Sequence, residues 1–532
     1  MSGQPDVSAL VARAAAEQPD AVALVAGARR LTWAELEELV ARVATGIGAA
    51  GVVAGQRVLV ALGNRVEFVT TYLGTLRAQA VSVPVNPTST SGELARMIAD
   101  SGARLAIGDA ATLPALREAV ALVDRARDGE PGLIDPDLAL RAVPTRVVAL
   151  DDAPGEGEVG FDELVSREPR DVPPLQDPEK LAALLYTSGT SGRPRAAMLT
   201  HRALLANVEQ VAAVEPPMMH ADDIVLGVLP LFHVYGLNAV LGAVARHGCT
   251  LVLAERFDPE DTLDLVVAEG CTVLPVAPPV FAHWRAIPDL RERVASVRLV
   301  LSGSAPLAAS TIEEFREAAG VEVHQGYGLT EAAPVVTSTL CSKVPHAGSV
   351  GAALPGIELR LVDDRGRPPE GEDPGEIQIC GANLFSGYWP DGDEGPGPDG
   401  WWSTGDVGFL DPDGDLFLVD RVKELVIVSG FNVYPIEVED VIREVDHVEE
   451  VAVIGVEDEQ TGEAVVAYVR APGADPETVA AAVRARCEER LAAFKRPSRV
   501  EIVDELPLTV TGKVQKGRLR GRERRRALGI LE

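Results

Sequence analysis

Short apolar runs alternate with stretches of helical periodicity along most of the chain. Residues 31–50 repeat apolar positions at helical spacing, with Thr32 as N-cap and Glu35 three residues later completing a capping box. A strand at 57–61, a helix at 66–77, a strand at 80–85, a turn at Asn86-Pro87, a helix at 92–101 and a strand at 104–107 continue the alternation. Residues 181–185 form a buried strand; beyond them the pattern predicts a helix at 203–214 and strands at 224–229, 250–254, 272–276, 298–301 and 321–324, with helices between. Such alternation implies a largely parallel sheet covered on both faces, so the expected fold class is α/β, with αβ-layered subdomains. Residues 123–168, rich in Asp, Gly and Pro and weakly periodic, read as a surface excursion.

Strands at 375–380 and 416–419 mark a more β-rich subdomain, and the acidic, Gly- and Pro-rich stretch 391–400 between them reads as an exposed loop. After residue 423 the chain restarts with short strands, helices at 436–445 and 476–491, and a terminal Gly-Lys-Val-Gln-Lys segment. The expected organisation is a large N-terminal domain over 1–420, a connection at 421–423 and a small α+β domain over 424–532. Residues 224–245 are apolar enough to suggest a membrane span, but Pro230, Asn238 and several glycines interrupt them. A buried strand, a ligand-facing loop and a buried helix fit better.

Composition narrows the function. Asp and Glu number 80 against 49 Lys and Arg, a net charge of −31, and so acidic a surface repels nucleic acid and anionic membrane. An anionic substrate must then be drawn in by local donors, which gives weight to each basic residue near a site. The five cysteines, Cys249, Cys271, Cys341, Cys380 and Cys487, are scattered without metal-ligand spacing and read as reduced, structural thiols. Asp6 stands where a signal peptide would be apolar, so a cytoplasmic location is expected.

The stretch from Tyr186 to Arg195, Tyr-Thr-Ser-Gly-Thr-Ser-Gly-Arg-Pro-Arg, follows a strand and is built of small residues. Backbone N–H groups of Ser188, Gly189, Thr190, Ser191 and Gly192 can curl into an anion nest, with the Thr187 hydroxyl adding a donor. A flexible linker would have similar composition. The Walker A pattern is absent, since Gly192 leads to Arg193 and Pro194 rather than to Lys and a helix. In this order the residues resemble the phosphate loop of the adenylate-forming superfamily, which includes acyl-CoA and aryl-CoA ligases, luciferases and amino-acid adenylation domains.

Further stretches match that superfamily in order, and the resemblance implies their roles. Tyr327-Gly328-Leu329-Thr330-Glu331, preceded by Gln325-Gly326, resembles the motif in which Glu binds magnesium, Thr330 meets the phosphates and Tyr327 stacks beside adenine. Gly303-Ser304-Ala305-Pro306, after Ser302, resembles the loop lying along adenine and the acyl chain. Ser403-Thr404-Gly405-Asp406 resembles the motif whose Asp accepts both ribose hydroxyls, a bond pattern that one carboxylate can make. Asp420-Arg421-Val422-Lys423 resembles the hinge, with Arg421 near ribose and phosphate and Lys423 as pivot, which makes the small domain mobile. Lys513 resembles the lysine that reaches in from that domain to stabilise charge on phosphorus oxygens. The implied chemistry is attack of a carboxylate on the α-phosphorus of ATP with Mg2+, followed by transfer of the acyl group to CoA.

Departures refine the comparison. Arg195 stands where the family usually has Lys, Ala196 where Gly is common, Ile427 where aryl-CoA ligases often carry Lys, and Asn432 where they often carry Gln. Ser429-Gly430-Phe431-Asn432-Val433-Tyr434-Pro435 instead resembles bacterial fatty acyl-CoA ligases. His233 follows Phe232 where amino-acid adenylation domains place Asp, and Phe232-His233-Val234-Tyr235-Gly236-Leu237 resembles acyl-CoA ligases that take an uncharged tail. The expected substrate is a fatty acid and the expected acceptor is CoA, whose thiol would enter past Gly430 and His233. A free-standing acyl carrier protein is the alternative acceptor, and a non-catalytic binding protein on this fold the alternative of another class.

Overall fold

The computed structural model describes residues 6–187, 194–305, 307, 309–363, 365–369, 373–421, 424, 426–428, 431–458, 461–509 and 512–527, with backbone alone at 420, 421, 427, 431, 432, 462, 524, 525 and 527. Among the described residues the strands fall into four sheets. The central sheet has the order Ala352–Ala353, Val335–Ser338, Val323–Gly328, Leu299–Ser302, Val273–Val276, Ile224–Gly227, Thr250–Leu253, Val22–Ala26 and Arg29–Thr32. It is parallel from Val323–Gly328 to Val22–Ala26 and antiparallel at both edges. The second sheet runs Val159–Gly160, Arg146–Ala149, Ala103–Gly108, Arg57–Ala61, Val81–Pro84, Leu181–Thr187 and Arg195–Thr200, and only its last pair is antiparallel.

The expected α/β class holds, and several elements fall where the pattern put them. The helix Trp33–Ala49 begins at Thr32, whose hydroxyl accepts from the Glu35 N–H while the Glu35 carboxylate accepts from the Thr32 N–H. That reciprocal pair satisfies two of the donors left open at a helix start. The strand Arg57–Ala61 and the helix Val66–Arg77 match residue for residue. The reading of 123–168 as a surface excursion is corrected: Arg146–Ala149 and Val159–Gly160 are the last two strands at one edge of the second sheet, and the helix Leu113–Arg127 packs against Val147 and Ala149.

A third, antiparallel sheet comprises Ile357–Val362, Gly375–Gly381, Trp401–Leu410 and Leu416–Arg421, and its Ile377, Ile379 and Leu416 join the main core. The fourth holds Phe431–Val433, Val426–Val428, Gly462–Arg470 and Glu450–Asp458, with Arg499–Ile502 beside Gly462–Arg470. Its apolar side chains, with the helices Pro435–Arg443 and Pro476–Arg490, form cores drawn wholly from residues beyond 425. Residues 224–245 resolve into a strand, a loop, a π-helix Tyr235–Gly242 and a short α-helix Ala243–His247. No helix among the described residues is long and apolar enough to cross a membrane.

Candidate active site

A cleft of about 3690 Å³ opens where the carboxyl ends of the central strands meet the third sheet and the C-terminal domain. This is where a parallel sheet offers loops for ligands. Thr187, Arg195, Thr330, Glu331 and Asp406 line it, together with His233, Val234 and Tyr235, and Lys513 joins them from the far domain. Ser302, Gly303, Ser304, Ala305, Gln325, Gly326, Tyr327 and Gly328 line it as well. Ser188, Gly189, Thr190, Ser191, Gly192, Pro306, Lys423, Ser429 and Gly430 lie outside the described residues. Arg421 and Phe431 are described in backbone only; Arg421 pairs with Asp406 across the third sheet.

The strand expected at 321–324 runs on through the Gln325–Gly328 stretch: Val323–Gly328 continues past the parallel sheet and pairs antiparallel with Val335–Ser338. Gln325 spends both ends of its amide on the fold. Its Oε1 accepts from the Leu307 N–H at 3.3 Å and its Nε2 donates to the Ser349 carbonyl at 3.3 Å. Gly303 admits the Tyr235 ring: a Cβ there would sit 2.9 Å from Tyr235 Cε1, so any larger residue would push the ring aside.

Two acids are held by tyrosines. Asp406 is 8% exposed, and its Oδ2 accepts the Tyr327 hydroxyl at 2.6 Å. Glu331 is 9% exposed, in the single turn Thr330–Ala332, and its Oε1 accepts the Tyr388 hydroxyl at 2.6 Å. Burial and the neighbouring Glu331 carboxylate push the Tyr388 phenol far above its usual range, so it stays a donor. Arg195 lies over the Tyr388 ring, 3.8 Å from its centroid, and donates to Glu394 Oε2 at 2.8 Å.

His233 is held by its backbone, which donates to the Pro230 carbonyl at 3.1 Å and accepts from the Leu237 N–H at 2.9 Å. Its Nδ1 accepts from the Tyr235 N–H at 3.4 Å, which leaves the proton of the neutral ring on Nε2. Burial, and then the Lys513 ammonium, hold its pKa down at about 4. The ring is neutral at pH 7, and Lys513 is near enough for its charge to be felt. The turn carrying Lys513 is closed by the Thr509 N–H, which donates to the Lys513 carbonyl at 2.7 Å, and by the Lys513 N–H, which donates to Thr509 Oγ1 at 3.0 Å.

Several residues that hold this architecture together were not among the candidate site residues. Asn64 donates to the carbonyls of Gly227 and Leu229 and accepts from the Leu231 N–H, fixing the strand exit that leads to His233. Asn238, inside the π-helix, donates to the carbonyls of Leu204 and Ala333 and so ties that helix to the Glu331 turn. Glu394 belongs to the stretch 391–400 read as an exposed loop, and Tyr388 lies just before it. The Gly387-Tyr388 pair before that loop was the available cue, and an aromatic there reads first as core.

Residues 11–389 match the family described as AMP-binding enzyme, and residues 437–513 match the AMP-binding enzyme C-terminal domain. Among curated proteins, 4-coumarate–CoA ligase 3 of Oryza sativa subsp. japonica is 34% identical over 504 residues, covering 92% of this chain and 87% of its own. Among solved structures, ATP-bound MatB from Rhodopseudomonas palustris is 31% identical with a TM-score of 0.85, covering 97% of this chain and 99% of that one. Its apo form scores 0.75 over 98% and 99% of the two chains, so the arrangement described here is nearer the ATP-bound one. A fatty acyl CoA synthetase of Mycobacterium tuberculosis is 28% identical with a TM-score of 0.74, covering 97% of this chain and 98% of that one.

Proposed function

Because this chain belongs to the AMP-binding enzyme family, within the adenylate-forming superfamily, we propose that it joins an apolar carboxylic acid, a fatty acid first of all, to CoA. Its activity is that of an AMP-forming acyl-CoA ligase, and its cofactors are ATP, Mg2+ and CoA. The observation that carries the reading is the convergence of Glu331, Asp406, His233 and Lys513, from both domains, on one cleft.

In the first half-reaction a carboxylate oxygen of the acid attacks the α-phosphorus, the bond to the β-phosphate oxygen breaks, and pyrophosphate leaves. The Lys513 ammonium, delivered by the small domain, stabilises the charge that gathers on the α-phosphate oxygens. Asp406, with one oxygen held by Tyr327, receives the ribose hydroxyls. Thr187, Thr330, Arg195 and the 188–192 stretch hold the phosphates. The residues fit a magnesium ion: Glu331 offers a hard carboxylate in the cleft, and such a ion takes one or two carboxylates and fills its shell with phosphate oxygens and water. Bound there, it would neutralise charge on the departing phosphates.

In the second half-reaction the CoA sulfur attacks the acyl carbon and AMP leaves. We assign the hinge to 421–423 and the moving part to 424–532, whose rotation withdraws Lys513 and opens a path for the thiol past His233. A neutral His233 adds no charge to that path. Val211, Met218, Met219, Ala239 and Leu301 line the cleft along with Tyr235, which favours an apolar acyl group. An aryl acid is the second reading, favoured by the 34% identity to a 4-coumarate–CoA ligase over nearly the whole chain.

The test is mass spectrometry of products from the protein, Mg2+, ATP, CoA and a panel of fatty and aryl acids. An acyl-CoA of a fatty acid is the expected product. A thioester from aryl acids alone would move the assignment to the second reading. Acyl-AMP without thioester would overturn CoA as acceptor.

A further inference from the structure

Tyr388 touches two charged groups that line the cleft, Glu331 and Arg195. Its hydroxyl donates to Glu331 Oε1 at 2.6 Å, and its ring faces the Arg195 guanidinium at 3.8 Å. Among the described residues, Glu331 Oε2 takes no hydrogen bond, so the hydroxyl fixes the carboxylate by one oxygen and leaves the other for a ligand. A planar guanidinium can lie flat on an aromatic face, an arrangement that a lysine ammonium does not reproduce. The Arg at 195 and the aromatic at 388 therefore belong together.

Arg195 is also held from its other side by Glu394 at 2.8 Å. That pair is open to water, with side chains 31% and 68% exposed, and an exposed pair of this kind holds weakly. Glu394 comes from the loop whose backbone is anchored by the Trp402 indole N–H, which donates to the Glu394 carbonyl at 2.8 Å. A polyphosphate carrying several charges, with oxygens that accept forked hydrogen bonds, outcompetes one solvated carboxylate for a guanidinium.

We propose that Tyr388 is a positioning residue that sets Glu331 and Arg195 relative to one another for magnesium and ATP, and that Glu394 is the counter-ion that phosphate displaces from Arg195. The proposal rests on the ATP site of the ligase reading. It assigns one side chain to two tasks: the hydroxyl serves the metal and the ring serves the cation.

The test is calorimetric binding of ATP to the full chain, once with Mg2+ and once in EDTA, for the wild type, Tyr388→Phe, Tyr388→Leu and Glu394→Gln. Tyr388→Phe keeps the ring and loses the hydroxyl. It should lose roughly tenfold or more of the affinity gained from Mg2+, the range typical when a group supporting a metal ligand is removed, and bind ATP in EDTA as the wild type does. Tyr388→Leu should weaken binding in EDTA as well, because the seat of Arg195 is gone. Glu394→Gln should bind ATP in EDTA more tightly.

An unchanged magnesium gain in Tyr388→Phe, equal weakening under both conditions with a lowered Tm, or a Glu394→Gln that binds no better would overturn the proposal. So would a wild type whose ATP affinity ignores Mg2+. Absence of acyl-AMP from the wild type, with these binding differences intact, would instead count against the ligase reading alone.

Discussion

Two carboxylates in the cleft accept a tyrosine hydroxyl at the same 2.6 Å, yet what stands behind each tyrosine differs. Tyr327 is 7% exposed, lies within the strand Val323–Gly328 and is braced by its N–H to Thr337 Oγ1 at 3.3 Å. Asp406 is thus pinned by the core. Tyr388 lies outside any named strand, makes isolated bridges to Ala197 and Asp393, and carries Arg195 on its face. Glu331 is thus held by a ring that also answers to a cation. Equal bond lengths do not mean equal stiffness: one hold is part of the sheet and the other can respond to what binds.

The largest expected effect comes from the group outside both pairs. Lys513→Met should slow the first half-reaction by about a hundredfold or more, as losing a charge stabiliser of the transition state does. Transfer from preformed acyl-AMP to CoA should continue, and rapid-quench assays of the two steps would separate them. The pairs themselves are distinguished by stability. Tyr327→Phe removes the buried hydroxyl that Asp406 Oδ2 accepts and should cost about 1–3 kcal/mol in urea unfolding. Tyr388→Phe, beside a partly exposed ring, should cost less than about 1 kcal/mol in the same experiment. Equal costs would break the contrast.

A smaller effect is set by pH. His233 has a pKa near 4 in the folded state against 6.5 ordinarily, so its contribution to stability is full above pH 6.5 and is lost as pH falls through 4. His233→Gln should flatten that part of the stability profile. Lys513→Met should raise the His233 pKa, since the ammonium is the second cause of its depression, and an NMR titration of the ring would read the shift.

What the sequence made legible was local or repeated. The Thr32–Glu35 capping box lies within one turn, and the strand Arg57–Ala61 is a continuous buried run between clear helices. Arg146–Ala149 and Val159–Gly160 escaped because four and two residues at a sheet edge are too few to display a period. In the site, the acids stood out through their motifs, while their tyrosine partners are 79 and 57 residues away. Tyr327 was legible as a candidate site residue but not as the holder of Asp406. Tyr388 was not legible at all, since its role exists only once the third sheet brings residues 385–388 against the Glu331 turn, where the Phe385 N–H donates to the Glu331 carbonyl at 2.9 Å.

The meeting of Gly512 with Pro279 bears on timing. Gly512 has φ +81°, and a Cβ there would fall 2.4 Å from Pro279 Cγ. A wedge at this point would act on how often the two domains meet in register, because the next residue is the one that carries the ammonium. Were the small domain to move as proposed, its encounters would depend on a contact that makes no bond to substrate, and a side chain at 512 would be expected to make them rarer.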